Sequence, residues 1–365
     1  VLKFKEYISE MYSFFPKSVD EIDKQLSNFP DQNRKEIMGI FSFLRKKVNK
    51  LETPINIDLK KPGLINISRE LNGVVDIKDI ISAVGVTKVK MKYGNGSSGN
   101  RGANNRGNLF ETQFAEALLA WWDGEKIDDS NTAAAIEDLN KTYNLSKSKK
   151  FIVSIEGGEN TRRPLQFTGT SITLDNPKGS GNDVGKSLTD ITVTTDKGPI
   201  YLSLKLGGTT TFFNVGVKTI LTKSEIQAGD IRNKNGLMLL NMFGIDPILF
   251  CEVFNGKLKK GIVDKNAKYN KAGISKLLQS GIGYNYHVIH KMGKTILSKN
   301  MTQQAMKKAA TIGSSITVYY GGKTGTGKRV DVEFESASYK FKINIRDTQG
   351  TDGYPTRMMC DFTHK

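Results

Sequence analysis

Residues 189–208 read TDITVTTDKGPIYLSLKLGG and alternate between polar and apolar positions. The first half carries a carboxylate, Asp190, and the second half an ammonium, Lys205, among apolar and small residues. A charge set into an apolar strand is costly unless something pairs with it. With Asp196-Lys197-Gly198 as the turn, the two halves form a hairpin that brings the acid and the lysine together at one edge of a sheet. Glu111, in NLFETQFAEALLAWWDG, approaches the same edge from a helix. Two carboxylates and a lysine converging in this way suit a divalent metal and an activated water. Carboxylate oxygens hold Mg²⁺, and the metal lowers the pKa of its water. The lysine adds positive charge where a pentavalent phosphorane develops. The plainer alternative is a cross-strand ion pair, worth under about 1 kcal/mol if exposed, beside a glutamate that favours its helix N-terminus.

Other candidate motifs carry less. Gly322 to Lys328, in GGKTGTGKRV, has the glycine spacing and lysine of a phosphate-binding loop. Arg329 stands where Ser or Thr should hold Mg²⁺, and the following VDVEFES alternates as a strand where that motif needs a helix. The segment therefore reads as a basic hairpin turn whose Lys323, Lys328 and Arg329 face a nucleic-acid backbone. His287 and His290 lie three apart in YNYHVIHKM, a strand-like stretch, and read as structural histidines rather than zinc ligands. The two cysteines, Cys251 and Cys360, have apolar neighbours. One disulfide is one reading, and two buried thiols in a reducing, cytoplasmic compartment is the favoured one.

The elements that must position these groups follow from periodicity. The opening VLKFKEYISEMYSFF reads as an amphipathic helix, not a signal peptide, and residues 1–50 read as helical throughout. INIDL, LINIS and VTKVKMKY read as strands, with a short helix in DIKDIISAVG. Residues 94–108 hold five glycines, five asparagines and two arginines, and form a loop. It is either an interdomain linker or a phosphate-contacting loop that uses Arg101 and Arg106. Phe110, Phe114, Ala117, Leu118 and Trp121 then mark the buried face of a helix, and NTAAAIEDLNKTYN a second one. Residues 150–206 read as β, and 214–244 as loop and helix. PILFCEVFNGKLKKGIV reads as a hairpin turning at Asn255-Gly256. AGISKLLQSG and TQQAMKKAATIG read as helices, and residues 314–365 as β again.

The formal net charge is +17 over 365 residues. Residues 1–108 carry 19 basic against 12 acidic side chains, residues 109–255 carry 15 against 18, and residues 256–365 carry 20 against 7. A near-neutral centre between basic flanks favours a polyanionic partner, nucleic acid before an anionic membrane surface. No run of about 18 apolar residues occurs, so no membrane span is expected. A Lys-rich surface kept for solubility is the other reading.

The order of a helix with Glu111, a strand opening at Asp190 and a second strand with Ser203-Leu204-Lys205 resembles the PD-(D/E)XK, restriction-endonuclease-like nucleases. The likeness covers roughly residues 105–255. Thr189 replaces the motif proline, and Ser203 stands where the second acid belongs. In some members of that superfamily the following helix supplies the missing acid, and Glu225 in TKSEIQAGD is its counterpart here. The resemblance implies an α/β (α+β) fold: a nuclease core with a central mixed sheet flanked by helices. An N-terminal helical or mixed domain over 1–93, the loop over 94–108, the core over 109–255 and a basic β-rich domain over 256–365 complete it. It further implies a Mg²⁺-dependent DNA endonuclease, with Mn²⁺ as substitute. Asp190 with Glu111 or Glu225 would hold the metal, Lys205 would serve catalysis, and Arg101, Arg106, Lys323, Lys328 and Arg329 would contact phosphates. A homodimer would suit cutting of both strands. A non-catalytic nucleic-acid-binding or virion-associated protein on a degenerate site is the alternative. FKEYISE is similar to short openings of tailed-phage proteins, which would place the chain in an infected host cell.

Overall fold

The computed structural model describes residues 11–14, 55–58, 64–67, 90–93, 106–155, 163–323, 325, 327–350 and 352–365. The chain is a mixed α+β protein. Its described strands are β1 (Met11–Phe14), β2 (Ile55–Asp58), β3 (Leu64–Ile67), β4 (Lys90–Tyr93), β5 (Phe151–Ile155), β6 (Leu165–Thr168), β7 (Ser171–Leu174), β8 (Ile191–Thr195), β9 (Gly198–Leu206), β10 (Thr210–Gly216), β11 (Ile262–Asp264), β12 (Tyr286–Met292), β13 (Thr295–Met301), β14 (Ile312–Tyr320), β15 (Arg329–Ser336), β16 (Tyr339–Arg346) and β17 (Arg357–His364). Its described helices are α1 (Arg106–Trp122), α2 (Ser130–Tyr143), α3 (Gly185–Leu188), α4 (Lys223–Ala228), α5 (Lys234–Met242), α6 (Pro247–Phe254), α7 (Lys271–Ile282) and α8 (Gln303–Ala310).

These elements group into two compact units. The first takes the described residues up to 155, then 189–204 and 289–298; the second takes 163–188, 205–288 and 299–365.

In the first unit the sheet order is β1-β2-β3-β4-β5-β8-β9-β12-β13. The sheet is mixed: β3, β4 and β5 run parallel, whereas β5, β8 and β9 pair antiparallel. Helix α1 forms because Phe110, Phe114 and Leu118 recur every four residues, which puts them on one stripe. All three are buried with Ile191, Val193, Leu202 and Leu204 of the sheet. Trp122 stacks on Phe151, ring centroids 4.4 Å apart. Helix α2 starts at Asp129, whose side chain accepts the Asn131 N–H, and stops where Asn144 takes a left-handed φ of 54°. An Asx cap and a left-handed terminal residue satisfy amides and carbonyls that a helix end would leave bare.

The second unit carries a six-stranded sheet, β10-β17-β16-β15-β14-β11, antiparallel at every pairing. Val332, Phe334, Phe341, Ile343, Cys360 and Phe362 alternate onto one buried face, against which α6, α7 and α8 pack. The other face carries Arg, Lys, Glu, Asp and Thr. This is the one-sided pattern expected of an antiparallel sheet with one face in water.

Four expectations are corrected. Residues 247–254 are helix α6, not half of a hairpin: Asp246 Oδ1 accepts the Ile248 and Leu249 N–H groups at 2.8 and 2.9 Å, and Pro247 occupies the first turn. A proline there suits a helix start, because its missing N–H is one the helix would not use. Met11–Phe14, expected within a helix, is a strand antiparallel to β2. Asn214–Gly216, expected as loop, closes strand β10, which pairs with β17. The remaining helices expected within residues 1–50 and 68–89, and residues 94–105 of the loop expected over 94–108, with Arg101, lie outside the described residues, whereas Arg106–Asn108, expected as the end of that loop, open helix α1. Among the described residues no single helix is long and apolar enough to cross a membrane.

Candidate functional site

The expected hairpin is present. Strand β8 pairs antiparallel with β9 from Ile191 opposite Leu202 to Thr195 opposite Gly198, across a turn at Asp196-Lys197. Asp190 sits one residue before β8, with its backbone N–H on the Leu202 carbonyl at 2.8 Å. Its side chain is tied to the motif segment of β9. Oδ2 accepts the Leu204 N–H at 2.6 Å and the Ser203 hydroxyl at 3.3 Å. Ser203 is 1% exposed, whereas Asp190 and Lys205 are half-buried.

Alternation along β9 decides what faces what. Leu202 and Leu204 enter the core with α1. Ser203 and Lys205, two apart on a strand, share the opposite face. The Ser203 hydroxyl thus donates to Asp190 and lies on the face that carries Lys205. Glu111 follows Phe110 in the second turn of α1, half-buried beside the helix's apolar stripe; the first turn holds no acid.

Glu225 belongs to the second unit, in the first turn of α4. Its N–H donates to Thr222 Oγ1 at 3.4 Å, and Thr222-Lys223-Ser224-Glu225 has the spacing of a capping box. Glu225 Oε2 is buried without a hydrogen-bond partner among the described residues.

Asp190 and Ser203 offer hard oxygen atoms, the donors Mg²⁺ takes. That ion is commonly held through one or two carboxylates, with substrate phosphates and water completing its shell. The pair fits such binding. Among the described residues no three His, Cys, Asp or Glu side chains gather as a metal-holding group.

The expected phosphate contacts are partly engaged within the chain. Lys323 Nζ pairs with Glu333 at 2.8 Å, and Arg329 pairs with Asp331 at 2.7 Å. Lys328 Nζ lies 5.4 Å from the centre of the Tyr354 ring. Arg106 is the first residue of α1. Gly325 needs glycine for its φ of +114°, and a Cβ on the facing Gly261 would meet Gly325 Cα at 2.7 Å. The backbone conformation at Gly325 and the close approach at Gly261 thus give this glycine pair a structural cause.

His287 and His290 are fully buried on β12. Three apart on a strand, they face opposite sides and cannot share one ion. Cys251 and Cys360 are buried free thiols. Burial pushes Cys251 up to about 11 and Cys360 well above the usual thiol range, so neither is poised as a thiolate nucleophile. Comparison of the chain with family models, with curated proteins and with solved structures finds no match.

Proposed function

We propose that the chain is a nucleic-acid phosphodiesterase, DNA favoured and acting as an endonuclease, built on a restriction-endonuclease-like core. The observation that carries this reading is the tie between Asp190 and the Ser203–Leu204 segment, two residues before Lys205. Asp190 would hold Mg²⁺, or Mn²⁺ in its place, with Glu111 of the same unit completing the ligands. When bound, the ion supplies a water of lowered pKa and offsets charge on the scissile phosphate. The Leu204 N–H and the Ser203 hydroxyl fix the orientation of the Asp190 carboxylate. Lys205 orients the attacking water and stabilises the negative charge that grows on the phosphorane oxygens. The basic segments on either side of the centre hold the polyanion.

One observation favours a second reading. Ser203 lacks the charge of the acid it replaces, and its hydroxyl is already turned to Asp190. A site with one fewer carboxylate suits a nucleic-acid-binding protein that does not cut. Incubation of supercoiled plasmid with Mg²⁺ or Mn²⁺ separates the two. Nicking or linearisation by the wild type that Lys205→Ala abolishes, with plasmid retention unchanged, is the expected result. Retention without cleavage in either ion overturns the enzyme and leaves the binding protein. Discrete bands in place of a smear would mark a defined recognition site.

A further inference from the structure

Strand register in the second unit aligns three arginines that sequence separates. Arg329 on β15 lies opposite Arg346 on β16, and Arg346 lies opposite Arg357 on β17. Directly opposed residues of antiparallel strands project from the same face, and like charges in that relation repel. The row lies on the polar face of the sheet, beside Asn344 and Met359.

Among the described residues little offsets this charge. Arg329 is held by Asp331. Arg346 has its Nε buried without a hydrogen-bond partner among the described residues, and its Nη2 meets only the weak acceptor Met359 Sδ at 3.8 Å. Arg357 has no acid partner among the described residues. Asn344, 1% exposed and two residues before Arg346 on the same face, has a buried Oδ1 that is likewise unmet. The acids farther along the face are engaged: Glu333 with Lys323, Glu335 with Lys340 and Lys365, and Asp361 with Thr211 and Asn344. The same face holds an open depression of about 420 Å³ whose walls carry Lys323, Lys340 and Lys342 together with Glu333, Glu335 and Asp361.

We infer that the Arg329–Arg346–Arg357 row is a binding surface for the phosphate backbone of a nucleic acid. Guanidinium groups present planar forks of N–H donors that match phosphate oxygens. Adjacent strands are about 4.8 Å apart, so the row spans about 10 Å, about three phosphate steps of one strand at about 3.4 Å of helix axis each. A polyanion along the row relieves the repulsion between its members. The inference rests on the nucleic-acid reading proposed above and extends it: Arg346 and Arg357 join Arg329 as backbone contacts, on a surface whose job is holding rather than cutting.

The test is fluorescence anisotropy of a labelled DNA duplex with the full-length protein in EDTA, repeated over a salt series. Arg346→Gln and Arg357→Gln should each weaken binding and reduce the slope of log affinity against log salt by about one. Lys141→Gln, the same charge lost from exposed α2, should leave the slope unchanged. Arg357→Lys should keep most of the affinity. If Arg346→Gln lowers the melting temperature, Arg357→Gln decides alone. Wild-type affinity and slope in a normally folded Arg357→Gln protein overturn the inference, as does a wild type that binds no duplex. The two readings fail separately. Plasmid cleavage by a wild type whose arginine variants bind normally refutes the surface and keeps the nuclease. Arginine-dependent binding with cleavage absent, or unchanged in Lys205→Ala, keeps the surface and refutes the nuclease.

Discussion

Replacing Asp190 separates its structural work from its chemical work. Its Oδ2 accepts a short bond from the Leu204 N–H, and Leu204 is buried. Truncation in Asp190→Ala leaves that amide without its acceptor, which costs about 1–3 kcal/mol. The longer Ser203 bond at 3.3 Å adds less. Asp190→Asn keeps an amide oxygen at the same place and loses only the charge assistance, so its cost should be about 1 kcal/mol. For folding units of 150–250 residues, each kcal/mol moves the melting temperature by about 2–4 °C. The alanine variant should therefore melt clearly below the asparagine variant, which should stay near the wild type. Cleavage should not follow that order. An amide cannot supply the charge that holds a divalent cation, so both variants should lose at least about a hundredfold in plasmid cleavage. Thermal melts and a plasmid time course in Mg²⁺ read the two effects on the same preparations. An Asp190→Asn protein that cleaves like the wild type would refute the chemical role and leave a backbone acceptor. An Asp190→Ala protein with the wild-type melting temperature would refute the structural one.

Two further outcomes test the fold. Asp129 caps α2, and the hydrogen bond from the Thr132 hydroxyl holds its carboxyl below the usual value of 3.8; a depressed folded pKa stabilises above the unfolded value and the gain fades as pH falls through the folded one. Asp129→Ala should thus cost about 1 kcal/mol at pH 7 and progressively less below about pH 4, read from urea midpoints at both pH values, whereas an equal cost at pH 2 would contradict the ionised cap. Gly236 in α5 has ordinary helical geometry, yet a Cβ there would meet the Ile220 carbonyl oxygen at 2.2 Å. Gly236→Ala should destabilise by about 1–3 kcal/mol despite alanine's better helix propensity, and a stabilised variant would show that the two segments are not packed as described.

Local patterns carried much of the fold. Helix α1 was readable because Phe110, Phe114 and Leu118 repeat at helical spacing, and β8, β9 and β14–β17 because their polar and apolar residues alternate. Both signals survive folding because each element buries one face. The β8–β9 hairpin was readable for the same reason, because a short turn fixes its register; the sequence set Asp190 against Lys205, whereas the structure ties it to Ser203 and Leu204. Periodicity failed where both faces are apolar. PILFCEVF has no polar side to distinguish strand from helix, and Asn255-Gly256 looked like a hairpin turn. The deciding signals were Asp246 and Pro247, a cap and a first-turn proline, which were present but outweighed.

From composition and spacing alone came the basic flanks, the acid and lysine of the hairpin, and most element types. These depend on neighbours a few residues apart, whose geometry the backbone dictates. The arginine row depended on the three-dimensional structure. Arg329, Arg346 and Arg357 are separated by 17 and 11 positions, and nothing local says that they lie abreast. Only the register of β15, β16 and β17 aligns them, and a one-residue slip in either pairing would send neighbouring arginines to opposite faces. That register is set by which side chains the buried face accepts, a property of the packed core rather than of any one segment.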